Sequence, residues 1–334
     1  MRISTTIILV LFISCTQELD IALPTAPPQL ALNSLLHPDS IIRVSLTTTL
    51  SSSVNSTDFP IVDDALVQLY ENDELLSDLT FQDSVYVLDY YPKAAQKYSV
   101  VATAPGYPVV RASDIMPPPP NVTICTQEDT ADRYPYRNGI MNVTIHDSPL
   151  GNDFYWFHNV SYSYVVDSCF WNLNKRERDC VFEEPLRLAG SSTGYYYSYS
   201  PVPDRFNAYV DNTIGGVTTF EFYIRVDDIT QNGEDITFEL ASGHGFPSKE
   251  EFFREDFHES SYSTLYTTNA SQHYDRYLKS SITYSLNRSY NEDEDLGFKP
   301  FVQFSQVYSN VENGIGIFAA YNTTDLDIGS YPCE

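Results

Sequence analysis

A chain of 334 residues with 42% hydrophobic and 14% aromatic content can bury substantial cores, which excludes disorder along its whole length. Its formal net charge of −26 repels phosphate backbones and anionic headgroups alike, which argues against nucleic-acid binding and against a purely electrostatic hold on a membrane. The 26 Tyr and 19 Phe, in a background rich in Val, Thr and Ser, favour strands over helices.

The chain opens MRISTTIILVLFISC. Arg2 is a short positive start, and Ile7 to Ile13 form an uncharged apolar run too short to span a bilayer. This predicts a signal peptide over residues 1–14. The tetrad Phe12-Ile13-Ser14-Cys15 resembles a bacterial lipobox, with Phe12 in place of the usual Leu. Cys15 would then carry diacylglycerol and become the acylated N-terminus, at about 0.8 kcal/mol per buried CH₂. Residues 15–29, with Glu18, Asp20, Pro24, Pro27 and Pro28, read as a flexible tether. Acidic residues just after the Cys resemble the surface-export signals of Bacteroidota lipoproteins, so the expected location is the outer membrane, facing the exterior. No later segment approaches the ~20 apolar residues of a membrane-spanning helix.

Residues 30–116 alternate as a β-sandwich should. Expected strands are Ile41 to Leu46 after a Pro38-Asp39 turn, Ala65 to Tyr70, Leu75 to Phe81 after an Asn72-Asp73 turn, Val85 to Tyr90, and Tyr98 to Ala104 before Pro105-Gly106. The stretches DALVQLYENDELLSDL and YSVVATAPGY resemble transthyretin-like, immunoglobulin-like modules. Pro117 to Pro120 favour an extended conformation that breaks a ladder, and they mark the expected domain boundary.

Residues 121–334 predict a larger β-rich domain with one or two helices. Strands are expected at Ile140 to Ile145, Tyr155 to Val166, Phe220 to Val226, Ile236 to Leu240 and Gly316 to Tyr321. One helix is expected over Lys249 to Phe257, with Ser248 and Glu251 as a capping box. A second runs from about Ser271 to Leu286, with Tyr274, Tyr277, Leu278, Ile282 and Leu286 at helical spacing.

Four further cysteines allow three pairings in an oxidising envelope. Cys169 and Cys180 flank a charged turn and are expected to pair locally, leaving Cys125 for Cys333. Asp228, Asn232 and Glu239 fall at spacings resembling an EF-hand calcium loop, but Asp235 stands where an apolar residue is usual and both flanks read as strands. A hairpin turning at Asn232-Gly233 accounts for the same letters. Asn291 to Asp295 is an acidic run that reads as a solvated loop. Tyr195, Tyr196, Tyr197 and Tyr199 could stack on a ligand or partner, or alternate across a strand. The block Asn313-Gly314-Ile315-Gly316 is a further candidate contact. The sequence contains no HExxH, GxSxG, Walker A or GxGxxG pattern, so no catalytic residue and no cofactor is expected.

Several blocks together resemble a Bacteroidota lipoprotein family known only as a domain of unknown function. They are Cys15 with Glu18 to Ile21, LALNSLLHPDSIIRVSLTTTL at 30–50, VDDALVQLYENDELL at 62–76, Tyr274 to Ser280, and YSNVENGIGIFAAYN at 308–322. Members of that family are often encoded beside TonB-dependent outer-membrane receptors. The resemblance implies an accessory or ligand-binding surface lipoprotein of such an uptake system, with the receptor as partner. A surface hydrolase of glycans or peptides and a structural or adhesive envelope protein are the alternatives.

Overall fold

The computed structural model describes residues 27–50, 58–127, 139–149, 151–164, 166–172, 177–182, 188–193, 196–197, 204–210, 219–229, 231–242, 261–292 and 306–333. The expected signal peptide, Cys15, most of the tether and the helix expected at 249–257 lie outside them. The chain is mainly β with one described helix, as its composition predicts.

The first strands are β1 (Leu30–Leu36), β2 (Ile42–Thr48), β3 (Leu66–Glu71), β4 (Glu74–Asp78), β5 (Thr80–Gln82), β6 (Val85–Leu88), β7 (Lys97–Thr103) and β8 (Val110–Ile115). Alternation puts every second residue of β1, β2, β7 and β8 inward. Two sheets, β1-β2-β6-β5 and β4-β3-β7-β8, close on one core that includes Leu32, Val44, Leu69, Val100 and Ala112. Asn72 and Asp73, both at positive φ, make the two-residue turn between β3 and β4. The single strand expected from Leu75 to Phe81 is instead two, β4 and β5, which join opposite sheets. A six- or seven-residue alternating run shows which side chains point inward, but not where the backbone changes partner.

The second part contains β9 (Val122–Gln127), β10 (Gly139–His146), β11 (Phe154–Tyr164), β12 (Val166–Asn172), β13 (Glu177–Phe182), β14 (Leu188–Thr193), β15 (Tyr196–Tyr197), β16 (Asp204–Val210), β17 (Thr219–Asp227), β18 (Asp235–Ser242) and β19 (Ser261–Ala270). Helix α1 (Gln272–Glu292) and β20 (Ile315–Asp327) follow. A sheet ordered β15-β18-β10-β9 faces β16-β17-β11-β19-β20 across a second core of Val143, Tyr155, Phe157, Val226 and Phe238, among others. On the opposite face of β11, Phe154 and Trp156 pack with Ile282 of α1, joined by Tyr274 and Leu278 at the helical spacing read from the sequence. Ser271 caps α1 by accepting the Tyr274 N–H at 3.1 Å. The helix runs six residues beyond the expected Leu286 to Glu292, a stretch without Pro or Gly to stop it.

β20 joins the two sandwiches. Ile315 to Ala320 pair in parallel with β1, and Tyr321 to Asp327 pair antiparallel with β19. One ten-stranded sheet therefore runs through both parts, and Phe318 and Ala320 belong to the first core. The proline run is strapped to this seam. Asn322, Asn269 and Thr324 donate to the carbonyls of Pro117, Pro118 and Pro120 at 3.3, 3.2 and 3.4 Å. Prolines have no N–H to donate but keep their acceptors, and the seam uses them. Asp114 of β8 completes the joint by accepting bonds from the Ser271 hydroxyl and from the Ile115 and Ala320 amides. Burial pushes the Asp114 carboxyl up to about 7, against the pull of those three donors.

Candidate functional site

Three strand ends meet at one edge of the second sandwich. Asp147 directly follows β10, Asp153 directly precedes β11, and Asp228 directly follows β17. One carboxylate oxygen from each lies within 4.8 Å of the others. Asp147 accepts the Tyr155 hydroxyl at 2.8 Å and the Gly233 amide at 2.7 Å, and Asp153 accepts Asn269 Nδ2 at 3.0 Å. Asp228 is fully buried, and neither of its oxygens has a hydrogen-bond partner. Among the described residues, no cation pairs with any of the three.

The electrostatics follow from that arrangement. Burial pushes the Asp228 carboxyl up to about 6, and the charges of Asp147 and Asp153 add to this. The backbone amides of Asp153 and of Asp228 itself lean toward it and pull the other way, without completing a bond in good geometry. Asp153 is raised by burial first and by Asp147 next, with Asn269 opposing. Tyr155 is raised strongly by burial, then by the surrounding carboxylates. The site offers only oxygen donors, which suit hard cations and not the thiolate- or imidazole-seeking metals.

A second acidic cluster sits on the helix side of the same sheet. Arg225 of β17 forms a two-pronged contact with Asp275 of α1, at 2.6 Å through Nε and 3.2 Å through Nη2. It also reaches Asp227 at 2.8 Å and Asp204 at 3.2 Å. Lys279 and the Trp156 indole N–H add bonds to Asp275 at 2.9 and 3.0 Å. Burial works against the guanidinium charge, but its bonds to Asp275 and Asp227 outweigh that and hold its pKa above the ordinary value. Every charge in this cluster has an opposite within reach, so it works as a clamp between α1 and the sheet. Along the outer side of α1 runs an open groove of about 610 Å³, lined by Arg276, Lys279, Thr283, Gln306 and Tyr308, among others.

The residues singled out from the sequence are dispersed. Asp228 enters the three-aspartate cluster, whereas Asn232 turns to the Gly151 carbonyl at 2.5 Å and Glu239 is exposed on β18. The expected hairpin at Asn232-Gly233 is also replaced. β17 and β18 lie in different sheets, and the segment between them arches across the sandwich with Gly233 at φ +79°. Cys125 and Cys333 are disulfide-bonded, and Cys333 N–H bonds the Thr126 carbonyl at 2.9 Å, holding the C-terminal segment against β9. Cys169 and Cys180 face each other in the β12–β13 register, at the 4.5–5.5 Å Cα spacing of antiparallel partners that a disulfide spans. Their side chains lie outside the described residues.

Tyr196 and Tyr197 form β15 at the edge of a sheet, while Tyr195 and Tyr199 lie outside the described residues. In the glycine block Asn313 and Ile315 are exposed, while the two glycines lie close against the neighbouring strand. A Cβ on Gly314 or Gly316 would meet the carbonyl oxygens of Leu30 and Leu32 at 2.6 and 2.0 Å, so these glycines let β20 lie against β1. Of the acidic run, Asn291 and Glu292 end α1, and 293–295 lie outside the described residues. Asp147 and Asp153 went unselected because an Asp beside Ser, Pro, Gly or Asn at a strand end is an ordinary turn residue. The available signal was that three such positions carry Asp at ends that one sandwich brings together.

The family model described as Domain of unknown function (DUF4249) matches residues 16–327. No curated protein and no solved structure matches the chain.

Proposed function

Starting from a chain that belongs to the DUF4249 family of domains of unknown function, we propose that it is a bacterial surface lipoprotein, acylated at Cys15, that serves as an accessory or ligand-binding component of a TonB-dependent outer-membrane uptake system. The observation that carries this reading is the junction at Cys15. The family match starts at residue 16, immediately after the cysteine that a lipobox-like tetrad would make the N-terminus of the mature protein. Fourteen residues, 16–29, then precede β1. At no more than about 3.5 Å each, they let the body reach ~50 Å from the bilayer. The net charge of −26 gives no electrostatic attraction to anionic lipid, so covalent acylation is the mode of attachment consistent with the composition.

The body is two sandwiches sharing one sheet, strapped at the proline run. Such a unit can present the groove beside α1 to a receptor or its ligand without a hinge in between. Arg276 there, beside a Lys279 already paired to Asp275, offers a positive charge on an acidic protein, suited to an anionic group on the partner. The test is a mild-detergent pull-down of the tagged protein from its native membrane, with mass spectrometry of co-purifying proteins and of its own N-terminus. A stoichiometric TonB-dependent barrel and an acylated Cys15 are expected. A protein recovered alone, or one whose N-terminus lies elsewhere, refutes the reading and moves weight to an independent hydrolase or structural role.

A further inference from the structure

The geometry points to a calcium-binding site formed by Asp147, Asp153 and Asp228, which pins three strand ends and the arch between β17 and β18. Two independent observations meet there. The first is the convergence of three carboxylates within 4.8 Å, with no cationic side chain paired to any of them among the described residues. The second is Asp228, fully buried with both oxygens lacking a hydrogen-bond partner. A carboxylate taken from water without a partner is among the costliest groups a fold can hold, and folds normally avoid it or neutralise it. Among the described residues nothing supplies the neutralising charge, and a bound cation would.

The donor set selects its chemistry. Carboxylates without imidazole or thiolate match calcium and magnesium. Calcium holds oxygens at about 2.3–2.6 Å, so opposed ligands stand about 5 Å apart, which accommodates the spread found here. It also accepts irregular geometry from separate loops, whereas magnesium demands a near-ideal octahedron and keeps several waters. Asp147 and Asp153 are already oriented by Tyr155, Gly233 and Asn269, which leaves Asp228 as the ligand with both oxygens free for the ion. Gly233 takes part through its backbone. Its amide holds Asp147, and at φ +79° a Cβ would strike Pro149 at 2.8 Å. The site differs from an EF-hand because its ligands come from three segments of a β-sandwich instead of one loop between helices. It stands independently of the receptor partnership proposed above.

The experiment uses the full-length chain in detergent, stripped with chelator and then titrated with CaCl₂, with MgCl₂ as a parallel series. Thermal unfolding and calorimetric titration are the readouts. Calcium should bind with a stoichiometry of one and raise the melting temperature, and magnesium at equal concentration should raise it less. Asp228→Asn should weaken calcium affinity at least tenfold. The same variant should be as stable as the stripped parent protein or more so, because it removes an uncompensated buried charge. If Asp228→Asn does not fold, Asp153→Asn should show the same loss of affinity. Absence of a calcium response, an equal response to magnesium, or unchanged affinity in both variants would overturn the assignment.

Discussion

Two acidic clusters flank the same sheet of the second sandwich and solve one electrostatic problem in opposite ways. Around Arg225, three aspartates and a lysine surround a guanidinium that contacts all three carboxylates. Around Asp228, three aspartates converge with no cation among the described residues. The first cluster is complete within the fold and fastens α1 to the sheet. The second leaves a buried carboxyl raised to about 6, the state of a group awaiting a proton or a cation. Acidic residues alone therefore do not distinguish structure from function. What distinguishes them is whether the chain supplies the counter-charge.

The largest expected effect breaks the complete cluster. Arg225→Met leaves Asp275 buried beside only Lys279 and the Trp156 indole and should cost about 3–5 kcal/mol in urea unfolding. Adding Asp275→Leu should recover a large share of that loss, because an apolar pair of similar volume avoids the desolvation of both charges. A double variant as unstable as the single one would show that the clamp depends on more than charge balance. For the incomplete cluster, calcium at 100 times its dissociation constant should stabilise the native state by about 2.7 kcal/mol, read as a shift of the unfolding midpoint that chelator reverses.

Asp114 gives an intermediate case, a buried acid served by neutral donors alone. Its folded pKa of about 7 lies above the ordinary 3.8, so the native state holds the proton more tightly than the unfolded chain. Stability should therefore fall as pH rises from about 4 to 7 and level off beyond, by on the order of 4 kcal/mol in all. Asp114→Asn should flatten that slope relative to the parent, as measured by unfolding at several pH values. The smallest effect is expected at Lys97–Asp73, an exposed pair at 2.8 Å, where Lys97→Ala should change stability by less than about 1 kcal/mol.

The features legible in the sequence share a short range. Alternation in Ile41 to Leu46 and Tyr98 to Ala104 marked the buried faces, Asn72-Asp73 marked a turn, and the spacing of Tyr274, Leu278 and Ile282 marked an amphipathic helix starting near Ser271. Each involves residues within a few positions of one another. β19 was missed because SYSTLYTTNA reads as polar, yet it lies between β11 and β20 with Thr264, Thr267 and Asn269 buried. Its burial comes from neighbours that its own letters do not specify. The aspartate site was one-third legible. Asp228 stood out through its spacing to Asn232 and Glu239, but its actual companions are 81 and 75 residues upstream.

By itself, then, the sequence determined that this protein is mainly β, about where its amphipathic helix begins, and which residues of its first strands point inward. Those properties follow from backbone sterics and a period of two or 3.6 residues, which any short window displays. The tertiary structure decided that β20 would lie parallel to β1, that the proline run would become a strap, and that three scattered aspartates would share one pocket. A strand's hydrogen-bonding edge is the same backbone whatever its side chains. Which edge it meets is settled by the joint closure of both cores, and that closure decides which polar groups lose their water and must find a partner.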